Sequence, residues 1–104
     1  MSKSFKTQVR DEFLNATAIE RKAAEKNKKE FDLKAFTTRF CKEEIGHCIS
    51  FVCLYARRNE NKARYYVALA WTWAHFGKID KIYVERKIYA AYHPNQRGIF
   101  AIAS

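Results

Sequence analysis

Glycine and proline are scarce in this chain of 104 residues, which has three glycines and one proline. With so few glycines there is no phosphate-cradling loop of the usual kind, and the motifs GxGxxG and GxxxxGK followed by Ser or Thr are absent. HExxH and GxSxG, which mark zinc proteases and serine hydrolases, are absent too. The few acidic residues of the second half, Glu60, Asp80 and Glu85, all lie within two residues of a basic residue. A metabolic enzyme is therefore not expected.

Long apolar runs are also lacking. Nonpolar stretches such as residues 65–74 are far shorter than the roughly 20 residues that cross a membrane as a helix. Residues 1–10 are polar and have no apolar segment of the kind found in signal peptides. These features predict a cytoplasmic protein.

Cysteines are few and poorly spaced for cross-linking or metal binding. Cys41, Cys48 and Cys53 are an odd number without a CxxC pair, which argues against a disulfide framework and against a closed zinc site. His47 and Cys48 are badly spaced for tetrahedral ligation. We expect reduced thiols, buried or partly exposed, and no metal or cofactor.

Basic residues are abundant in both halves of the chain, whereas acidic residues are concentrated in the first half. The net charge is +9, and 48% of the residues are hydrophobic, enough for a folded domain. Residues 1–50 have 11 Lys and Arg, 8 Asp and Glu and 5 aromatics, whereas residues 51–104 have 9, 3 and 11. This asymmetry predicts one domain over residues 1–104 with an anionic partner, either nucleic acid or an acidic surface of a protein or nucleoprotein complex.

The first part of the chain, about residues 3–45, has a helical pattern. Apolar residues recur at steps of three or four from residue 3 to residue 30, namely Phe5, Val9, Phe13, Ala16, Ile19 and Ala23. Asp32 is a suitable N-cap for a second helix, and Gly46 is a natural place for that helix to end.

After Gly46 the pattern changes to a period of two. Large side chains alternate with mostly small ones in residues 65–74, and a weaker alternation precedes them in residues 49–55. Residues 82–92 form a third possible extended segment, and a turn at residues 93–98 leads to a short strand at residues 99–103. The predicted fold is α+β, with two N-terminal helices followed by an antiparallel β-meander of three to four strands over about residues 47–103.

An all-α fold of four helices is the alternative. The apolar residues between Leu33 and Tyr55 also lie on one helical face, and Asn59 or Asn61, together with Gly77, Asp80 and Pro94, would then cap or end two further helices. Enrichment in aromatic and β-branched residues favours strands between these two readings.

Four basic residues surround the connector after Tyr55. Arg57, Arg58, Lys62 and Arg64 have only Glu60 to offset them, and we call this set the basic tip. An exposed tip of this kind can bind a phosphate backbone. The alternative is a solvated turn whose charges prevent edge-to-edge association.

A second basic and aromatic set follows. On an extended strand, Lys81, Tyr83, Lys87 and Tyr89 point to one side, and Arg97 lies in the turn beyond. Rings stack on bases and cations contact phosphates, so this face is a further nucleic-acid-binding candidate, although half-exposed tyrosines are also ordinary packing. Trp71 and Trp73 have apolar neighbours in the alternation, so we expect them in the core.

Histidines offer a weak catalytic alternative. On the meander, His75 and His93 approach one edge near Arg97, which is the set of groups that a metal-independent ribonuclease uses. No motif accompanies them, and a lone histidine at the end of a strand is commonly just polar.

In size, charge and absence of catalytic motifs the chain resembles small phage and plasmid proteins that bind nucleic acid or block host machinery. This resemblance is one of composition, and no stretch of residues matches a family. The sequence therefore favours a non-enzymatic nucleic-acid-binding protein, with an inhibitor docked on a host nucleoprotein enzyme as the alternative and a ribonuclease as the third possibility.

Overall fold

The structure, a computed structural model, describes residues 4–93. Over this range it has four α-helices and no strand: α1 Phe5–Lys26, α2 Leu33–Tyr55, α3 Glu60–Gly77 and α4 Lys81–Tyr92. The predicted α+β fold with a β-meander is wrong, and the four-helix alternative is correct. The strand predicted at residues 99–103 lies outside the described residues.

Each helix begins at a polar side chain that accepts a hydrogen bond from a backbone N–H of the first turn, which would otherwise have no partner. The predicted N-cap of α2 is confirmed, with Asp32 accepting from the N–H of Ala35 at 3.0 Å. The other capping residues are Ser4, Asn59 and Asp80. Asn59 caps α3, as one form of the all-α alternative requires.

The predicted stripe of α1 is buried only in its first half. Val9 and Phe13 lie in the core, whereas Ile19 is 62% exposed. Thr17 is buried, and its hydroxyl donates to the carbonyl oxygen of Phe13 at 2.8 Å. Beyond Thr17 the helix extends past the core, which explains why its later residues are mainly charged.

The prediction that Gly46 ends α2 is wrong, since the helix continues to Tyr55. The buried residues of α2 recur at steps of three or four on both sides of this glycine: Phe36, Cys41, Ile45, Cys48 and Val52. Burying this continuous face outweighs the cost of a glycine inside a helix, roughly 0.5–1 kcal/mol relative to alanine. Gly46 is exposed, on the opposite side.

The alternation in residues 65–74 is also helical. The buried and partly buried residues of α3 include a row at steps of three or four: Ala63, Tyr66, Ala70, Trp73 and Gly77. Alanine is the strongest helix former, so the small residues that look like one face of a strand favour a helix. Trp73 is 1% exposed and lies in the core, as expected, but Trp71 is only partly buried.

α2 and α3 form an antiparallel hairpin joined by residues 56–59. A Cβ atom at Gly77 would lie 2.7 Å from both the Cβ and the Sγ atoms of Cys41, so the two backbones meet very closely there. This register places Cys48 opposite Ala70, because each lies one seven-residue repeat nearer the connector. We call the half of the hairpin that contains Cys41, Cys48, Ala70 and Gly77 the closed end.

α1 and α4 cover the hairpin. α1 runs alongside α3 in the same direction, since the ring of Phe5 meets Tyr65 and the ring of Phe13 meets Phe76, each at a centroid distance of 5.0 Å. Val84 of α4 is fully buried in the same core cluster. No helix in the described range is both long and apolar enough to cross a membrane.

The core also contains thiols. Burial raises the pKa of Cys41 to about 11 and that of Cys48 to about 12, with the charge of Glu44 as a smaller cause. Both thiols are therefore protonated at neutral pH and pack as small apolar groups. Cys53 is partly buried.

Candidate nucleic-acid interface

The basic tip lies where α2 turns into α3. The backbone N–H groups of Arg58 and Asn59 both donate to the carbonyl oxygen of Tyr55, at 3.0 and 2.9 Å, and Asn59 caps α3. The connector is therefore held in a defined turn. It leaves Arg57 and Arg58 exposed, and neither has an ion-pair partner among residues 4–93.

Lys62 and Arg64 have partners. The Nζ atom of Lys62 lies 5.1 Å from the centroid of the Tyr55 ring, a cation–π contact. Arg64 Nη2 lies 2.6 Å from Glu60 Oε1, and both side chains are largely exposed. All four predicted residues are thus at the tip, but Glu60 offsets the charge of Arg64.

Three aromatic rings lie beside the tip in nearly parallel planes. The ring of Tyr66 is 4.6 Å from that of Phe51, at an interplanar angle of 17°, and 6.1 Å from that of Tyr55, at 6°. We call Phe51, Tyr55 and Tyr66 the ring stack. The side chain of Phe51 is 42% exposed, so the stack is accessible from solvent.

Tyr65 joins the ring stack to α1. Its ring meets Tyr66 edge to face at 5.0 Å, and Phe5 of α1 meets it in the same manner. Offset and edge-to-face pairs are the favoured aromatic geometries, worth about 0.5–1.5 kcal/mol beyond the area that they bury. Three helices therefore hold these rings, and Tyr65 remains exposed at the edge.

The predicted face on α4 is split. A helix turns by about 100° per residue, so residues that share one side of a strand do not share one side of a helix. Lys87 lies over the ring of Tyr83 at 5.5 Å, and Lys42 of α2 approaches the same ring at 5.2 Å. Lys81 and Tyr89 lie on the other side, where the Tyr89 ring meets that of His93 at 4.1 Å. Arg97 lies outside the described residues.

The structure does not bring the two candidate catalytic histidines together. His75 is exposed in the last turn of α3, and His93 follows the far end of α4. The twelve residues of α4 span about 18 Å. Nothing in residues 4–93 places the two imidazoles at one phosphate. The same range has no cluster of three or more His, Cys, Asp or Glu side chains suited to a metal ion.

A groove of about 560 Å³ lies between α1, α3 and α4. The described residues that line it are Lys6, Val9, Trp71, Thr72, Ala74, His75, Phe76 and Lys81. Four of these eight side chains are apolar, and three are basic, one from each of the three helices.

The ring stack is absent from the sequence-based site. Phe51 and Tyr55 are four residues apart, a spacing that joins side chains on a helix and separates them along a strand. Reading residues 49–55 as a strand concealed this pair. The contribution of Tyr66 depends on how α2 pairs with α3, which the sequence alone does not show.

No protein-family model, curated protein or solved structure matches this chain. Its function is therefore inferred from its own residues and their geometry.

Proposed function

We propose that this protein is a small, basic, non-enzymatic nucleic-acid-binding protein that engages its ligand at the basic tip and the ring stack. One observation carries the proposal: Arg57 and Arg58, exposed and without ion-pair partners in the described range, lie beside partly exposed parallel rings. Surfaces that bind single strands have two components: cations that contact the phosphates, and aromatic rings that stack on the bases.

The proposed ligand is a single strand of DNA or RNA. Bases of a duplex are already stacked on one another, whereas those of a single strand are available to an exposed ring. In this proposal Arg57, Arg58 and Lys62 contact phosphates, and Phe51 and Tyr65 offer ring surface to bases. The defined turn at Asn59 keeps both groups in place, which lowers the entropy lost on binding.

The basic residues beyond the tip extend the proposed path of the strand. Lys87, with Lys42 beside the same ring of Tyr83, forms a second cationic cluster on α2 and α4. Lys81, Tyr89 and Arg97 stay in the proposed set as further contacts. A cytoplasmic location belongs to the same proposal, because protonated buried thiols suit a reducing compartment.

Fluorescence anisotropy with a labelled 12-nucleotide single strand at two salt concentrations tests the tip. Arg57→Gln/Arg58→Gln is expected to weaken binding and to lower the slope of log K against log salt by about 1.4, since each lost contact with a single strand contributes roughly 0.7. The matched control is Lys22→Gln/Lys26→Gln, which removes the same charge from the exposed end of α1. No binding by the unmodified protein at low salt, or equal losses for both pairs, would refute the role of the tip.

The ring stack has a separate test. Phe51→Leu keeps an apolar side chain and removes the ring. We expect it to weaken binding at every salt concentration and to leave the salt slope unchanged, because no phosphate contact is lost. An unchanged affinity would remove the rings from the proposed interface.

An inhibitor that docks on a host nucleoprotein enzyme is the second candidate function. It is favoured by Leu54, which is 46% exposed and lies three residues from Phe51 on the same face of α2. An exposed aliphatic group beside aromatic and Arg side chains is typical of protein interfaces. It has no charge or hydrogen-bond donor with which to contact a phosphate. Leu54→Gln separates the candidates, since it should abolish protein docking in a nuclease-treated lysate and leave oligonucleotide binding intact.

A further inference from the structure

The groove between α1, α3 and α4 takes no part in the contacts proposed for the tip. The tip lies at the start of α3, and the groove opens beside residues 71–76. The stretch of α3 from Glu60 to Trp71 is about 16 Å long. The groove is therefore a candidate site separate from the tip, although it shares Lys81 with the further strand contacts proposed above.

The size and the lining of the groove suit one small organic ligand. Its volume of about 560 Å³ lies within the roughly 300–1,000 Å³ that is usual for ligand sites. Trp71 and Phe76, both partly buried, provide the accessible apolar surface, and the buried Val9 and Ala74 lie behind them. Trp71 is only partly buried, so part of its indole ring is available to a flat ligand.

The charged groups of the groove are all basic. Lys6 comes from α1, Lys81 from α4 and His75 from the last turn of α3, and no acidic side chain is among the described lining residues. Two ammonium groups from different helices at one apolar groove favour a ligand with at least two negative charges. A phosphate monoester meets this requirement, since it carries about −1.5 to −2 at pH 7.

We propose that this groove binds one phosphorylated nucleoside, with its base against Trp71 and its phosphate between Lys6 and Lys81. The imidazole of His75 offers one further polar contact. The nucleotide comes either from the free pool or from a nucleic-acid strand. A strand offers the same base, with two singly charged phosphodiesters in place of one doubly charged monoester.

Two-dimensional ¹H–¹⁵N NMR on the unmodified protein tests the proposal, because the two tryptophans give separate indole N–H signals. Trp71→Phe assigns the signals. Adenosine monophosphate is expected to shift the signal of Trp71 in a saturable manner and to move that of Trp73, which is 1% exposed, far less. Adenosine and inorganic phosphate should each bind at least about tenfold more weakly, because each lacks one half of the contacts. A Trp71 signal that does not move would overturn the proposal.

Charge variants give the second measurement. Lys6→Gln/Lys81→Gln should weaken binding of adenosine monophosphate by about tenfold or more, since it removes two charge-assisted contacts. Lys22→Gln/Lys26→Gln removes the same charge from the exposed end of α1 and should leave affinity nearly unchanged. Equal losses in both pairs would show a general charge effect and contradict a built site.

Further measurements separate the two sources of the nucleotide and separate the groove from the tip. If a single-stranded hexa-adenylate without terminal phosphates displaces adenosine monophosphate, strand nucleotides fill the groove. If it does not, free nucleotides are the ligand. Arg57→Gln/Arg58→Gln should bind adenosine monophosphate like the unmodified protein, so that a failure at either site leaves the other result intact.

Discussion

The two ends of the α2–α3 hairpin are built from different residues. At the closed end, small residues allow the backbones to meet, as Gly77 does against Cys41. At the connector, the facing positions hold the rings of Tyr55 and Tyr66, and Arg57 and Arg58 lie exposed beside them. Cys41 and Ala70 of the closed end are fully buried, whereas the rings and charges of the tip remain partly or fully exposed to solvent. The difference indicates that close backbone packing holds the hairpin together at one end, and that rings and cations are exposed side by side at the other.

The largest expected effect contrasts a ring in the core with a ring at the tip. Trp73→Ala should lower the free energy of unfolding by about 3–5 kcal/mol, because it leaves a cavity among Phe40, Phe76 and their neighbours. Phe51→Ala should cost clearly less, because Phe51 is 42% exposed and its removal leaves no closed cavity. Urea denaturation followed by circular dichroism measures both. Similar losses would mean that the tip contributes as much stability as the core.

The next effect contrasts two glycines. Gly77→Ala should destabilise the protein by about 1–3 kcal/mol, since the new methyl group would overlap the Cβ atom of Cys41, which cannot rotate away. Gly46→Ala is the matched control. No atom lies within 4 Å of its added Cβ, so alanine should stabilise α2 by up to about 1 kcal/mol. Shifts of the same sign in thermal melts would show that the closed end is looser than the structure indicates.

A smaller effect concerns a carboxyl group on α2. Burial raises the pKa of Glu44, the neighbouring charges of Glu12 and Glu43 raise it further, and His47 opposes them. Because the folded-state pKa is above the unfolded value, Glu44 stabilises the fold below the unfolded pKa and loses this contribution as pH rises through the folded pKa.

Glu44→Gln should therefore be more stable than the unmodified protein at pH 7, and the difference should vanish as the pH is lowered toward 4. Chemical denaturation at both pH values measures it, with exposed Glu25→Gln as control. A benefit that grows on acidification would contradict the assignment.

The smallest expected effect is on stability at the tip. Arg57→Gln/Arg58→Gln should change the free energy of unfolding by less than about 0.5 kcal/mol, as is usual for exposed side chains away from caps and cores. A larger loss in a thermal melt would show that these arginines support the turn. The weaker binding of the variant would then report a disturbed turn and not lost phosphate contacts.

The sequence predicts the first half of the fold better than the second. α1 and the cap at Asp32 follow from a period of three to four and a capping residue, both local properties. α3 is different, because its alternation of large and small residues fits a strand as well as it fits a helix. Only the burial of Ala63, Ala70 and Gly77 against α2 decides between them, and that depends on tertiary pairing.

The candidate site divides in the same way. The exposure of Arg57 and Arg58 can be predicted from the sequence, since a run of basic and Asn residues between apolar segments is exposed in either fold. The ring stack and the groove cannot be predicted from the sequence, because Tyr66 contacts Phe51, and Lys6 and Lys81 line one groove, only after the helices have packed.

The short connector between α2 and α3 also has a kinetic consequence. Bringing two parts of a chain together costs more entropy as the loop between them lengthens. Tyr55 and Lys62 are separated by little more than the turn, whereas Cys41 and Gly77 are separated by most of the hairpin. The hairpin is therefore expected to close from the connector toward the glycine, so that the end proposed to bind nucleic acid is the first part to form during folding.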